Sequence, residues 1–174
     1  MESTTKDAAI GAMSDYFHRS TPKAEERIAH TLSVLSFAER ILAGEGIDSS
    51  YVVTVCVLAA LFHDIGIPEA ERKHGSTEPR YQHEEGPPIT RAILSRLKVR
   101  PDILERVCFI VGNHHSRGMI DSIDFQIVYE ADYIVNTATA AKSEAGRSDS
   151  EILRRRHTEH LRTKTASTII DQTI

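Results

Sequence analysis

Histidine and aspartate recur in this chain at positions suited to holding a cation. His30 comes first. His63 and Asp64 stand side by side at the end of the apolar run 51–62, and His83, the pair His114 and His115, and Asp132 follow. Two ionisable groups at the end of an apolar run are costly to bury unless something compensates them. A metal ion would do so, because imidazole and carboxylate are the donors that hold transition and hard divalent metals. The set is expected to form one metal site for two ions. Two adjacent cations make a water nucleophilic at neutral pH and stabilise the charge built up in a displacement.

Periodicity shows which elements must bring these residues together. A first helix over 4–19 carries Ile10, Met13 and Phe17 on one face. A second runs over 22–43, with Thr21 as N-cap, Pro22 at the first position, and Gly44 and Gly46 as stop. His30 lies off the centre of its apolar stripe. Asp48 or Ser49 caps a third helix that ends near His63 and Asp64. Its valine-rich middle could pass for a strand, but about 15 apolar-rich residues exceed a typical strand. It reads as a central helix buried all round.

Residues 67–83 lose all apolar period and read as a loop or broken helical connection. Gly86-Pro87-Pro88 opens a helix to about 98, so His83 precedes it. Pro101 opens another through 111 or 112, with Asn113, His114 and His115 at its C-terminal end. A helix over 123–142 holds Asp132 at its middle. Ser148 to Glu151 form a capping box for a last helix over 148–164, which carries Arg154-Arg155-Arg156. The tail 165–174 fits no one state. The expectation is an all-α, single-domain bundle of six or seven helices spanning 1–174, with its core at about 25–140 and the C-terminal helix packed on it. Such bundles build metal sites from inward-facing side chains of several helices. His63 and Asp64 point about 100° apart on a regular helix. Either the helix end is distorted so that one metal takes both, or Asp64 bridges two ions.

Composition sets the bounds. The chain has 174 residues, 40% hydrophobic and 26% charged, the balance of a soluble globular domain. A net charge of -4 gives no global attraction to nucleic acid. Cys56 and Cys108 lie in apolar runs and read as small core residues. The N-terminus has no apolar signal core, and the run 51–62 is shorter than the roughly 20 residues a bilayer requires. The expected location is cytoplasmic, without membrane contact.

The order His30, His63-Asp64, Asp132 resembles the HD-domain superfamily of metal-dependent phosphohydrolases. Three segments carry the resemblance: Arg27-Ile-Ala-His30-Thr-Leu-Ser-Val34, Leu61-Phe-His-Asp-Ile-Gly66 and Tyr129-Glu-Ala-Asp132. His83, with Gly86 after it, and His114-His115 resemble the subset with a two-metal site. The resemblance implies that His30, His63, Asp64 and Asp132 hold the first metal. It implies that His83, His114 and His115 hold the second, with Asp64 bridging, and it makes Asp64 and His63 the catalytic pair. Iron or manganese is the preferred metal on the same ground; zinc, nickel and magnesium are the alternatives.

The implied activity is hydrolysis of a phosphate ester of a nucleotide or similar small molecule, by a phosphomonoesterase or phosphodiesterase using a metal-activated water. Arg72, Lys73, Arg96, Lys98 and Arg117 are candidate phosphate clamps by charge. Ile67 and Pro68 stand where many phosphodiester-cleaving relatives carry a lysine, and a Gly-Tyr-Pro segment is missing. Both departures argue against a cyclic dinucleotide substrate. A homo-oligomer is compatible with the sequence. Two other functions fit the ligand set: a di-iron oxygenase, and a non-catalytic metal-stabilised sensor module. His18, His74, His157 and His160 fall outside the set, the last two on an expected solvated face. Glu84 and Glu85 read as helix N-terminal charges. Asn113 either orients a neighbouring histidine or caps its helix.

Overall fold

The computed structural model describes residues 3–143 and 159–173, and among them every regular element is helical. In chain order these are α1 (Ser3–Ser20), α2 (Ala24–Gly44), α3 (Ser50–Phe62), α4 (Ile67–His74), α5 (Pro79–Arg96) and α6 (Pro101–Val111). A single 3-10 turn (Arg117–Met119), α7 (Ile123–Ser143) and α8 (Lys164–Thr173) follow. The expected all-α bundle is the observed fold.

α3 is the axis. Every residue of it from Val55 to Phe62 is buried, with α1, α2, α6 and α7 packed around it. That explains its sequence: a helix covered on all sides needs no polar face. Ser50–His74 has the length and hydropathy of a membrane span, yet 72% of its apolar window is buried within the protein. Phe62, Leu61 and Leu58 are almost wholly enclosed, and each such side chain stabilises the fold by about 1.5–3 kcal/mol.

α3 stops at Phe62 because the chain tightens. The Ile65 N–H donates to the Phe62 carbonyl at 3.1 Å and the Ile67 N–H to the Asp64 carbonyl at 3.1 Å. Pro68, in the first turn of α4, then starts the next helix. His63 and Asp64 therefore sit in this tightened turn, between α3 and α4.

The region 67–83 differs from the expected loop. It folds as α4 and the opening of α5, and α5 begins at Pro79 rather than at Gly86. Pro87 and Pro88 lie inside α5. A proline there withholds an N–H from the carbonyl four residues back and crowds that carbonyl with its ring, and side-chain ties between α4 and α5 hold the segment. The Lys73 ammonium and His74 Nε2 reach the Glu85 carboxylate at 2.7 and 3.1 Å. The His74 ring stacks on Tyr81, with centroids 4.1 Å apart. Glu85 is thus a buried cross-tie, not a solvated helix-start charge.

Two glycines set how closely α5 approaches the turn after α3. A Cβ on Gly66 would lie 2.7 Å from the Gln82 carbonyl oxygen and 2.7 Å from the Gly86 nitrogen. A Cβ on Gly86 would lie 2.8 Å from Val111 Cγ1 of α6. Only glycine fits at this crossing, which brings His83 alongside the ends of α3 and α6.

Two smaller corrections concern helix ends. Thr21 does not cap α2; its Oγ1 accepts the N–H of Lys23 at 3.2 Å, and Lys23 is the N-cap. The capping box at 148–151, Arg154-Arg155-Arg156 and His157 lie outside the described residues. The last helix was expected to reach 164, but the chain leaves helix after His160, and the tail forms α8. The break has a visible cause. The fully buried Glu130 carboxylate accepts the N–H groups of Arg162 and Thr163 and the Thr163 hydroxyl. Glu45 then accepts the Thr165 N–H at 2.7 Å and its hydroxyl at 2.6 Å, capping α8 from α2.

Candidate metal centre

α2 and α7 both pack against α3, and where they pass its C-terminal end they carry His30 and Asp132. His30 Nε2 lies 3.3 Å from His63 Nε2, 3.5 Å from Asp64 Oδ2 and 3.2 Å from Asp132 Oδ1. His63 Nε2 lies 3.5 Å from Asp64 Oδ2 and 3.6 Å from Asp132 Oδ1. His30 Nε2, His63 Nε2 and Asp64 Oδ2 thus meet at separations that match donors held about 2.1 Å from a common centre, and Asp132 Oδ1 adjoins both histidines.

Asp64 also faces the other way. Its Oδ1 lies 3.5 Å from Nε2 of His114, and Asp64, His114 and His115 form a second donor group beside that of His30, His63 and Asp64. The sequence left a distorted helix end and a bridging Asp64 open; in the structure His63 Nε2 and Asp64 Oδ2 lie 3.5 Å apart, and the two Asp64 oxygens face different groups.

His83 is placed next to these residues, not among their donors. Its ring lies 5.2 Å from that of His114 and 5.7 Å from that of His115. Its Nε2 accepts the backbone N–H of His115 at 3.4 Å.

One device orients the two innermost histidines. His63 Nδ1 donates to the Ala60 carbonyl and His114 Nδ1 to the Val111 carbonyl, each at 2.8 Å. Both acceptors are carbonyls at a helix C-terminus, where four would otherwise lack partners. A carbonyl only accepts, so Nδ1 carries hydrogen, and Nε2 is the nitrogen that a neutral ring turns toward a cation. Among the described residues the buried His114 Nε2 has no hydrogen-bond partner, a state that costs stability unless a ligand completes it. That orphaned atom, together with the donor set, fits a bound metal.

The electrostatics agree. Burial alone would lower the pKa of His63, but Asp64 and the hydrogen bond and charge of Asp132 outweigh it and raise the imidazole to about 9, so at neutral pH the ring carries positive charge until a cation takes the place of its Nε2 proton. Burial raises Asp64, and His63 and His114 overcome it to hold the carboxyl well below its ordinary range. Asp132 is depressed in the same way: hydrogen bonds from His30 and His63 exceed the effect of burial. Two carboxylates enclosed this tightly demand positive charge beside them. His83 is half-buried, and burial followed by the neighbouring His114 pushes it down to about 4, so its ring is neutral at pH 7.

Residues outside the expected set find other roles. Asn113 donates to the Phe109 carbonyl at 2.8 Å and caps α6; among the described residues it hydrogen-bonds no histidine. Cys56 and Cys108 are free thiols in the core. Arg72 and Lys73 are bound to Glu69, and Lys73 also to Glu85. Lys98 lines a cleft of about 570 Å³ with Ser50 and Tyr51, at the far end of α3 from His63. Arg117 follows the histidine pair on the 3-10 turn and forms no ion pair among the described residues. His160, expected on a solvated face, instead has its ring stacked on Tyr133, with centroids 4.4 Å apart.

The HD domain model matches residues 27–137, which include every residue of both donor groups. Among solved structures, a predicted HD superfamily hydrolase from an uncultured Thermotogales bacterium aligns with a TM-score of 0.62 and 19% identity. The alignment covers 92% of this chain and 82% of that one; at this identity the likeness is one of fold. Comparison with curated proteins returns no match.

Proposed function

The chain belongs to the HD-domain family, and from that premise we propose that it is a metal-dependent hydrolase of phosphate esters, acting on a nucleotide or similar small molecule. The observation that carries the reading is the split Asp64 carboxylate. One oxygen faces His30 and His63 and the other faces His114. His30, His63, Asp64 and Asp132 would hold one cation; Asp64, His114 and His115 would hold a second, with His83 beside it. Imidazole-rich donors favour iron or manganese over magnesium. When bound, the cations supply Lewis acidity to a phosphoryl oxygen and lower the pKa of a water between them.

The protein's own part is orientation and charge. The Ala60 and Val111 carbonyls fix the His63 and His114 rings. The depressed Asp64 and Asp132 carboxyls stay ionised through the working pH range. Neither thiol competes as a nucleophile: both are buried, and burial pushes each further above its ordinary pKa. Arg117 is the phosphate clamp this reading selects, since Arg72 and Lys73 are already paired, Lys98 lies at the other end of α3, and Arg96 ends α5 just before the Leu97 and Lys98 of that cleft. A guanidinium reads a phosphate through paired N–H donors.

The test is a panel of phosphate esters incubated with protein loaded with manganese or iron(II). The expected result is release of inorganic phosphate from at least one ester, abolished by chelation and by Asp64→Asn. Metal-loaded wild type that cleaves none of the panel would overturn the reading.

A further inference from the structure

His160 lies beyond the residues matched by the family, 27–137, yet the fold returns it to the helix that carries Asp132. The Glu130 and Glu45 tethers hold the segment after it, and Gln126 Nε2 donates to the His160 carbonyl at 3.4 Å. The His160 ring lies parallel to Tyr133 and, offset, to Tyr129, at interplanar angles of 13° and 16°. The Tyr129 hydroxyl bonds His160 Nδ1. His160 Nε2 has no hydrogen-bond partner among the described residues. Tyr129, Asp132 and Tyr133 share one helical face, so this ring stack borders the metal-binding carboxylate. Arg117, on the 3-10 turn before α7, forms no ion pair among the described residues, and its charge works to lower the pKa of both Tyr129 and His160.

Flat rings, a ring nitrogen and a guanidinium that have no polar partner among the described residues, beside a phosphohydrolase centre, suit a ligand with a planar group and a phosphate. We propose that His160 is a specificity-determining residue: with Arg117 it recognises the part of the substrate beyond the reacting phosphate, and that part carries a flat ring. Tyr129 is a positioning residue that acts through His160. This rests on the phosphate-ester reading and adds to it a recognition element contributed by the C-terminal segment.

The test measures binding of two non-hydrolysable ligands, a nucleoside phosphonate and an alkyl phosphonate, to the metal-loaded full chain. Wild type is expected to bind the nucleoside phosphonate about tenfold more tightly, the scale of one stacked base. His160→Ala should erase that preference while alkyl phosphonate affinity and metal content stay within about twofold. Tyr129→Phe keeps the ring, loses only the hydroxyl bond, and should lose part of the preference; it serves if His160→Ala folds poorly. A wild type without ring preference, or a preference that survives in both variants, overturns the proposal. Failure of the phosphate-ester reading looks different: wild type then binds neither phosphonate, and both conclusions fall.

Discussion

His30 Nε2 and Asp132 Oδ1 lie 3.2 Å apart, joining α2 to α7 beside the end of α3. Neither residue is near the other in sequence, and each also approaches His63. Removing either should empty the first cation position while leaving the apolar core intact. His30→Ala or Asp132→Ala is expected to lower bound metal by about one ion per chain and ester turnover by about a hundredfold or more. Elemental analysis beside steady-state kinetics checks this. Full metal content with full turnover in either variant would show that the convergence has no chemical role.

Asp64 and His83 should separate sharply. Asp64→Asn preserves shape but removes the charge that faces both donor groups, so metal content should fall below about one ion per chain. His83 has its Nε2 engaged by the His115 N–H, so His83→Ala should keep the first ion and lose no more than about tenfold in turnover, the low end for residues around a metal site. A His83→Ala protein as dead as Asp64→Asn would make His83 a full ligand.

Gly66 tests the crossing that shapes the site. A Cβ there would meet backbone atoms of Gln82 and Gly86, whereas one on Gly86 would meet only the Val111 side chain. Gly66→Ala should destabilise by about 3 kcal/mol and Gly86→Ala by about 1 kcal/mol, because a side chain can shift and a helix backbone cannot easily do so. Denaturant melts of the two variants decide it. Equal midpoints would mean that α5 is free to move away.

Arg106 pins the start of α7. Its guanidinium binds the buried Asp124 and the exposed Asp121. Burial would raise Asp124, but hydrogen bonds from Arg106 and Ser122 take its pKa below the ordinary 3.8. A group depressed in the folded state adds stability above its unfolded pKa and loses it as pH falls through the folded value. Arg106→Gln should cost about 2 kcal/mol near neutrality by leaving Asp124 buried without its partner. The gap between wild type and variant should narrow below about pH 4. Thermal melts at several pH values read this out, and a gap independent of pH would exclude Asp124 as its source.

Much of this architecture was legible in the sequence. The 3–4 spacing of apolar residues marked α1, α2, α6 and α7. The length of the run ending at Phe62 told helix from strand in α3. Residue type alone brought His30, His63, Asp64, His83, His114, His115 and Asp132 onto one list, although the structure sets His83 beside the donors rather than among them, and order gave the family. What the sequence hid were effects of tertiary contact. Pro87 and Pro88 looked like a helix start because local rules favour proline there, and the Lys73–Glu85 and His74–Tyr81 ties that extend α5 back to Pro79 are not local. His160 looked solvated because the residues that hold its segment, Glu130 and Glu45, lie far from it in the chain. A buried acid two residues before a candidate ligand aspartate was the one available hint, since on a helix the two must face different neighbours.

The central claim is that two carboxylates and a set of imidazoles converge to hold metal. Anomalous diffraction from crystals of metal-loaded protein, collected at the metal absorption edge, tests it most directly. The expected map has one peak enclosed by His30, His63, Asp64 and Asp132 and a second between Asp64, His114 and His115. Peaks located elsewhere, or none at these residues in protein saturated with metal, would contradict the account.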